Sequence, residues 1–186
     1  MVAATGPRGL LILDRDGVIN RDSAEFVKNV DEFEPLPGSI DAIASLHQAG
    51  YTVAVASNQS GLARGLFDRR ALRAMHRKLR RLVAAAGGRI DRIEVCPHGP
   101  DEGCRCRKPA PGLLLRLARH YGVDPGGTPA VGDSLRDLEA AQSAGATPIL
   151  VRTGNGRKTE AALSGPLRDI DVYDDLASVA RALVQS

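Results

Sequence analysis

The chain has 186 residues, a net charge of +3, and 43% apolar against 25% charged residues, a composition typical of soluble globular proteins and not of disordered or fibrous ones. That length suits one domain, 1–186, burying roughly two-thirds of its unfolded surface. No apolar run approaches the ~20 residues that span a bilayer. No signal-peptide pattern opens the chain, and the three cysteines all fall between Cys96 and Cys106, which argues against a disulfide framework. A cytoplasmic protein with no membrane association is expected.

Gly9 to Leu13 (GLLIL) reads as a strand buried on both faces of a parallel sheet, running straight into Asp14, Asp16 and Gly17. Arg21 to Pro37 is irregular and is expected to lie as a loop over the site. Ser39 to Ala49 has helical spacing, with Ile40, Ile43 and Leu46 inward and Gly50 as its stop. Tyr51 to Ser57 is a second strand, followed by the polar run SNQSG.

A helix with Asp68 as N-cap and Gly87 as stop comes next. Between Asp68 and Arg81 lie seven Lys/Arg and one acid, but Leu72, Met75, Leu79, Leu82 and Val83 recur at helical spacing, so it reads as an amphipathic helix with a solvated basic face. Aromatic residues, at 3%, are too few for a base-stacking surface, and no nucleic-acid partner is expected.

Arg89 to Val95 reads as a third strand entering the cysteine cluster. Pro111 opens a helix through Tyr121, closed by Gly122. Thr128 to Val131 is a short fourth strand leading into GDSLRD and a helix through Ala144. Thr147 to Val151 is a fifth strand, Arg152 to Pro166 the least structured part, and Asp174 to Val184 a terminal helix. This alternation predicts an α/β fold: a doubly wound, mainly parallel, Rossmann-like sheet with helices on both faces and no cap domain.

In such a sheet, chemistry gathers beyond the carboxyl ends of the strands. Asp14 and Asp16, Ser57 and Asn58, Cys96, and Asp133 and Asp137 all follow strands there, and Lys108 precedes a helix. Asp14 and Asp16 can divide labour as nucleophile and proton donor. An anion attacking a phosphate dianion needs cations nearby, since two unit charges ~4 Å apart repel by about 4 kcal/mol at an effective dielectric near 20. Lys108 supplies one cation, and Asp133 with Asp14 could hold another as Mg²⁺. Ser57 and Asn58 can donate to phosphoryl oxygens.

DRDGVIN, SNQSG, CRKPAPG and GDSLRDLEAA, in that order, resemble the four motifs of the haloacid dehalogenase superfamily of phosphohydrolases. The resemblance implies that Asp14 attacks phosphorus and that Asp16 protonates the leaving alkoxide and then activates water. It implies Mg²⁺ on the Asp14 carboxylate, the Asp16 backbone carbonyl and the Asp133 carboxylate. Lys108 and Ser57 would hold the phosphoryl group, and Asp137 would orient Lys108 or a water on the metal.

Cys96, His98, Cys104 and Cys106 fall within eleven residues as C-x-H-x5-C-x-C. They form a complete tetrahedral zinc set with no open position, so a structural zinc is expected to staple this loop and fix Lys108 nearby. Within the superfamily, a zinc loop without a cap resembles the small-sugar and histidinol phosphatase branch. NQSGLARGLF and CRKPAPG are similar to the heptose-1,7-bisphosphate 7-phosphatases of nucleotide-activated heptose biosynthesis for lipopolysaccharide.

That similarity implies a phosphorylated sugar as partner and substrate contacts from Asp22, Phe26, Asn58, Gln59, Ser60 and Arg107. The 22–26 stretch departs from the DxGY-like pattern there, and the short zinc loop suits histidinol-phosphate phosphatases equally. Histidinol phosphate therefore stays open as substrate. A polynucleotide 3′-phosphatase and a receiver-type phospho-switch are less favoured. A monomer is expected.

Overall fold

In the computed structural model, which describes residues 8–185, the opening apolar run is the central strand, β1 (Gly9–Leu13). Its alternate residues bury against opposite layers, which is why no polar residue interrupts it. Leu11 and Leu13 pack with Val53 and Val55 of β2 (Tyr51–Asn58) against Ile43 and Leu46 of α1 (Ser39–Gln48). The same layer takes Met75, Leu79 and Val83 of α2 (Arg69–Ala85) and Val179 of α6 (Leu176–Gln185). Leu10 and Ile12 face the other way, onto Leu113 and Leu117 of α3 (Gly112–Tyr121) and onto Ala140, Ala141 and Ala144 of α4 (Leu135–Ala144). Each leucine buried this way contributes about 1.5–3 kcal/mol relative to exposure.

The sheet has six strands, all parallel, in the order β3-β2-β1-β4-β5-β6. The remaining strands are β3 (Arg92–Cys96), β4 (Pro129–Gly132), β5 (Thr147–Val151) and β6 (Asp171–Tyr173). The chain builds outward from β1 to β3, then returns to place β4 on the other side of β1. The strand order therefore reverses between β1 and β4, opening a crevice at their carboxyl ends.

Most boundaries follow the expected local chemistry. The Asp68 carboxylate caps α2 by accepting from Ala71 N at 2.7 Å, and Gly122 and Gly145 close α3 and α4 in the left-handed conformation. β3 begins at Arg92 instead of Arg89, because the Asp91 side chain takes the Val53 N–H at 3.0 Å before ladder pairing starts. The terminal helix begins at Leu176, with Asp175 as its cap.

Besides a 3-10 turn at Gly165–Leu167, two elements were not expected. Strand β6 has three residues, and α5 (Gly156–Ala161) has six, both too short to carry a periodic signal. The Arg152–Pro166 segment is thus better ordered than its composition suggested. Arg21–Pro37 does lie on the rim, tied down by an antiparallel bridge between Asn20 and Pro35 and by buried Val27 and Phe33. Among the described residues, no helix is long and apolar enough to cross a membrane.

Candidate active site

Asp14 leaves β1 with its backbone N–H donating to Val131 O at 2.9 Å, which sets it beside the end of β4. Its carboxylate accepts from Lys108 Nζ at 2.8 Å. The buried Lys108 ammonium also donates to Ala56 O at 2.8 Å and pairs with Asp137 Oδ1 at 2.5 Å. Asp137 is fixed in turn by a capping box at the start of α4, where its Oδ2 accepts from Ser134 N at 3.0 Å and Ser134 Oγ at 2.6 Å. Asn58 was expected to face substrate. It borders the adjacent chamber, but its Oδ1 accepts from Lys108 N at 3.1 Å and its Nδ2 donates to Lys108 O at 3.0 Å. Its amide therefore holds the Lys108 peptide from both ends.

Asp14, Asp133 and Asp137 offer carboxylate oxygens that all lie within 4.8 Å of one another. Two of the three, Asp14 and Asp137, share Lys108, and Asp133 has no basic partner among the described residues. Burial, only partly offset by Lys108 and reinforced by the neighbouring acids, raises the Asp14 carboxyl to about 8. Burial and Asp137 raise Asp133 to about 6 against the pull of Asn155. Burial would also raise Asp137, but Lys108 and the Ser134 donors more than offset it and keep it low. For Lys108, Asp137 and Asp14 outweigh burial and lift the ammonium above its usual range.

Two carboxylates pushed toward neutrality, Asp133 buried and Asp14 half-buried, are a good fit for a hard divalent cation such as Mg²⁺. The surroundings keep that space open. A Cβ on Gly17 (φ 83°) or on Gly154 (φ 56°) would run into Asp133 Oδ2. The segment expected to be loose supplies the outer wall: Asn155 N donates to Asp133 Oδ2 at 2.7 Å, Thr159 Oγ1 to Asp133 O at 2.8 Å, and Thr153 Oγ1 to Gly17 O at 2.6 Å.

Asp16 does not share partners with Asp14, because the chain has already left the strand and turns at Gly17. Its carboxylate accepts from Arg15 Nη2 at 2.7 and 2.8 Å, from Asn20 Nδ2 at 2.8 Å and from Gln59 Nε2 at 2.9 Å. Arg15 is 1% exposed and lies over the Phe33 ring. Gln59 also donates to Ser57 Oγ at 2.8 Å, leaving the serine hydroxyl hydrogen free to donate elsewhere.

These groups open onto a chamber of about 350 Å³ whose walls include Asp16, Asp22, Phe26, Gln59, Ser60 and Arg107. Asp22 is held by Asn155 Nδ2 at 3.0 Å. A larger open groove of about 1000 Å³ between Phe67 and His98 contains none of the converging acids.

The zinc-ligand expectation has a direct geometric counterpart. Cys96, Cys104 and Cys106 Sγ lie 3.3–3.6 Å apart, and His98 Nδ1 is 3.5 Å from Cys96 Sγ and 3.3 Å from Cys106 Sγ. Metal bonds of ~2.3 Å to sulfur and ~2.0 Å to nitrogen call for tetrahedron edges of about 3.5–3.8 Å, so the four atoms fit a zinc ion. Burial raises the Cys96 thiol to about 12. Burial acts the same way on Cys104, but the Arg107 and Cys106 backbone N–H groups overcome it and lower that thiol to about 6, favouring a thiolate. Arg107 Nη1 donates to His98 O at 3.3 Å, which joins this loop to the Lys108 turn.

The sequence reading missed Arg15, Asn155, Arg64 and Arg136. Arg15 sits between two motif acids, where the acids drew the attention. Asn155 belongs to a segment with no periodicity, and exposed arginines such as Arg64 and Arg136 carry no signal until the fold brings them to one wall.

The HAD-hydrolase-like family model matches residues 105–179. The chain is 57% identical over 179 residues to D-glycero-beta-D-manno-heptose-1,7-bisphosphate 7-phosphatase of Pseudomonas aeruginosa, covering 96% of this chain and 99% of that one. It is 59% identical over 176 residues to the Bordetella bronchiseptica protein of the same name, covering 95% and 98%.

The crystal structure of D,D-heptose 1,7-bisphosphate phosphatase from B. bronchiseptica, complexed with magnesium and phosphate, superposes with a TM-score of 0.92 at 59% identity over 95% of this chain and 98% of that one. The corresponding Burkholderia thailandensis structure gives 0.75 at 44% identity, covering 96% and 100%. By these likenesses and by its four motifs, the chain belongs to the D-glycero-beta-D-manno-heptose-1,7-bisphosphate 7-phosphatase family of HAD-like hydrolases.

Proposed function

We propose that this chain is a Mg²⁺-dependent phosphomonoesterase, one capless domain, that removes the 7-phosphate of D-glycero-D-manno-heptose 1,7-bisphosphate through an aspartyl-phosphate on Asp14. The observation that carries this reading is the meeting of Asp14, Lys108, Asp133 and Asp137 at the β1/β4 switch point. The named relatives act on heptose bisphosphate, which favours that substrate over histidinol phosphate.

The Asp14 carboxylate attacks phosphorus as the P–O bond to C7 breaks, and Asp16 protonates the departing alkoxide. Asp16 then takes a proton from water, which attacks the aspartyl-phosphate phosphorus and releases inorganic phosphate. For both transfers Asp16 turns out of the Arg15–Asn20–Gln59 clamp. Lys108 Nζ and Ser57 Oγ hold phosphoryl oxygens where transition-state charge collects. Asp137 and Asn58 position Lys108, while Asp22, Phe26, Gln59, Ser60 and Arg107 border the sugar. The Asp14 and Asp133 carboxylates and the Asp16 carbonyl would hold Mg²⁺, which would supply positive charge against the repulsion between nucleophile and phosphate.

A zinc ion on Cys96, His98, Cys104 and Cys106 has a structural role, fixing the turn that carries Lys108. The enzyme works as a cytoplasmic monomer, and its product, a sugar 1-phosphate, feeds nucleotide-activated heptose for lipopolysaccharide or another glycoconjugate.

The test is phosphate release from heptose 1,7-bisphosphate, histidinol phosphate and fructose 1,6-bisphosphate, with and without Mg²⁺. The heptose substrate should give the highest kcat/KM, only with Mg²⁺, and Asp14→Asn should abolish it. A higher kcat/KM on histidinol phosphate would overturn the substrate assignment, and an active Asp14→Asn enzyme would overturn the mechanism.

A further inference from the structure

The chamber beside Asp16 carries more positive charge than the reaction at Asp14 uses. Its walls bring together four arginines and two carboxylates, a surplus of two positive charges. One arginine, Arg15, is committed to Asp16. The other three are Arg64 from the turn after β2, Arg107 from the zinc loop and Arg136 from the first turn of α4. None of the three forms an ion pair among the described residues. Guanidinium groups without a carboxylate partner, from three separate segments lining one cavity, make a receptor for an anion with several oxygens, although Arg107 also donates to His98 O.

A second observation marks this wall as built. Phe26 is the one non-glycine residue at positive φ among the described residues, at 67°, a strained backbone state for a residue with a side chain. Its ring borders the chamber and supports the Arg64 guanidinium, whose carbon lies 5.6 Å from the ring centroid. The strained residue thus holds a free cation toward the cavity. The scissile phosphate has its own lysine, Lys108, which is not part of these walls.

We infer that Arg64 and Arg136, together with Arg107, bind the second phosphate of a sugar bisphosphate, the anomeric phosphate that is not cleaved, and so set the preference for bisphosphorylated over monophosphorylated sugars. This rests on the function proposed above and adds two residues that neither the motifs nor the comparisons assign. Substrate would span the site, with its 7-phosphate at Lys108 and its 1-phosphate between the arginines.

Arg64→Met, Arg136→Met and the double variant test this by binding and by turnover. In calorimetry, heptose 1-phosphate should bind wild type more tightly than free heptose does. Each single variant should weaken that binding about tenfold or more, the scale of a lost hydrogen bond to a charged group. Inorganic phosphate, which reports on the Lys108 end, is the reference ligand.

In turnover, the ratio of kcat/KM on heptose 1,7-bisphosphate to that on heptose 7-phosphate should fall by a similar factor, mainly through KM, with Arg64→Lys partly restoring it. Equal losses on both substrates, or heptose 1-phosphate binding unchanged by the variants, would overturn the inference. A wild type that binds heptose 1-phosphate through these arginines yet releases no phosphate from the bisphosphate would instead sink the proposed function and leave the receptor standing.

Discussion

Replacing Asn58 with alanine isolates what the polar residue after β2 does. Its two hydrogen bonds, at 3.0 and 3.1 Å, hold the backbone of Lys108 and not its ammonium. Each is worth about 0.5–1.5 kcal/mol net, so Asn58→Ala removes roughly 1–3 kcal/mol of restraint on that turn. If the restraint serves to place Lys108 against the transferring phosphoryl group, the loss falls on kcat, by about 5- to 150-fold.

KM should stay within about threefold if the Asn58 amide is committed to the Lys108 backbone and not to the sugar. Asn58→Asp keeps the acceptor for Lys108 N but sets a carboxylate against Lys108 O, and should do no better than alanine. Steady-state phosphate release reads both parameters, and thermal unfolding shows whether stability falls with them. An Asn58→Ala enzyme with unchanged kcat and a KM raised tenfold would refute this reasoning and return Asn58 to the substrate.

The acids at the crevice also predict how stability varies with pH. Asp14 and Asp133 are raised from 3.8 to about 8 and about 6, so the metal-free folded state binds more protons than the unfolded chain. Its stability should be greatest below about pH 4 for these groups and decline as pH rises toward 8, whereas saturating Mg²⁺ should flatten that decline; melting curves in chelator and in Mg²⁺ at several pH values check it. Gly154→Ala would drive a Cβ into Asp133 and should weaken Mg²⁺ activation, beyond the backbone cost of about 1–3 kcal/mol. Gly165→Ala, at φ +55 with open space around it, should carry the backbone cost alone, and Mg²⁺ titration of activity with thermal unfolding separates the two. Cys104→Ser should lose bound zinc by elemental analysis and reduce kcat by up to about 100-fold, as expected if Lys108 shifts by ~1 Å.

The sequence was most informative where chemistry and periodicity coincide. GLLIL followed by two acids marked both a strand buried on both faces and the proposed nucleophile, because such a strand must be apolar throughout and must end where the sheet ends. Cys96, His98, Cys104 and Cys106 were legible because four residues able to ligate zinc in one loop need no knowledge of the fold. Arg15 was not legible: an arginine between two acids reads as surface charge, and only the structure shows it buried under Asp16. Asn155 and α5 were hidden for a different reason. Six helical residues bury too little to show a period, and the 153–161 segment is held by bonds from Thr153 to Gly17 and from Asn155 and Thr159 to Asp133, in distant parts of the chain. Arg64 and Arg136 lie more than seventy residues apart, and their shared wall is a product of topology alone.

The central claim is that Asp14 carries the phosphoryl group during turnover. Acid quenching during steady-state hydrolysis of heptose 1,7-bisphosphate with Mg²⁺, followed by mass analysis of peptides, tests it directly. One added phosphoryl group should map to Asp14 and be absent from Asp14→Asn. Full turnover with the phosphoryl group on another residue, or an unmodified Asp14 during a verified burst of product, would contradict it.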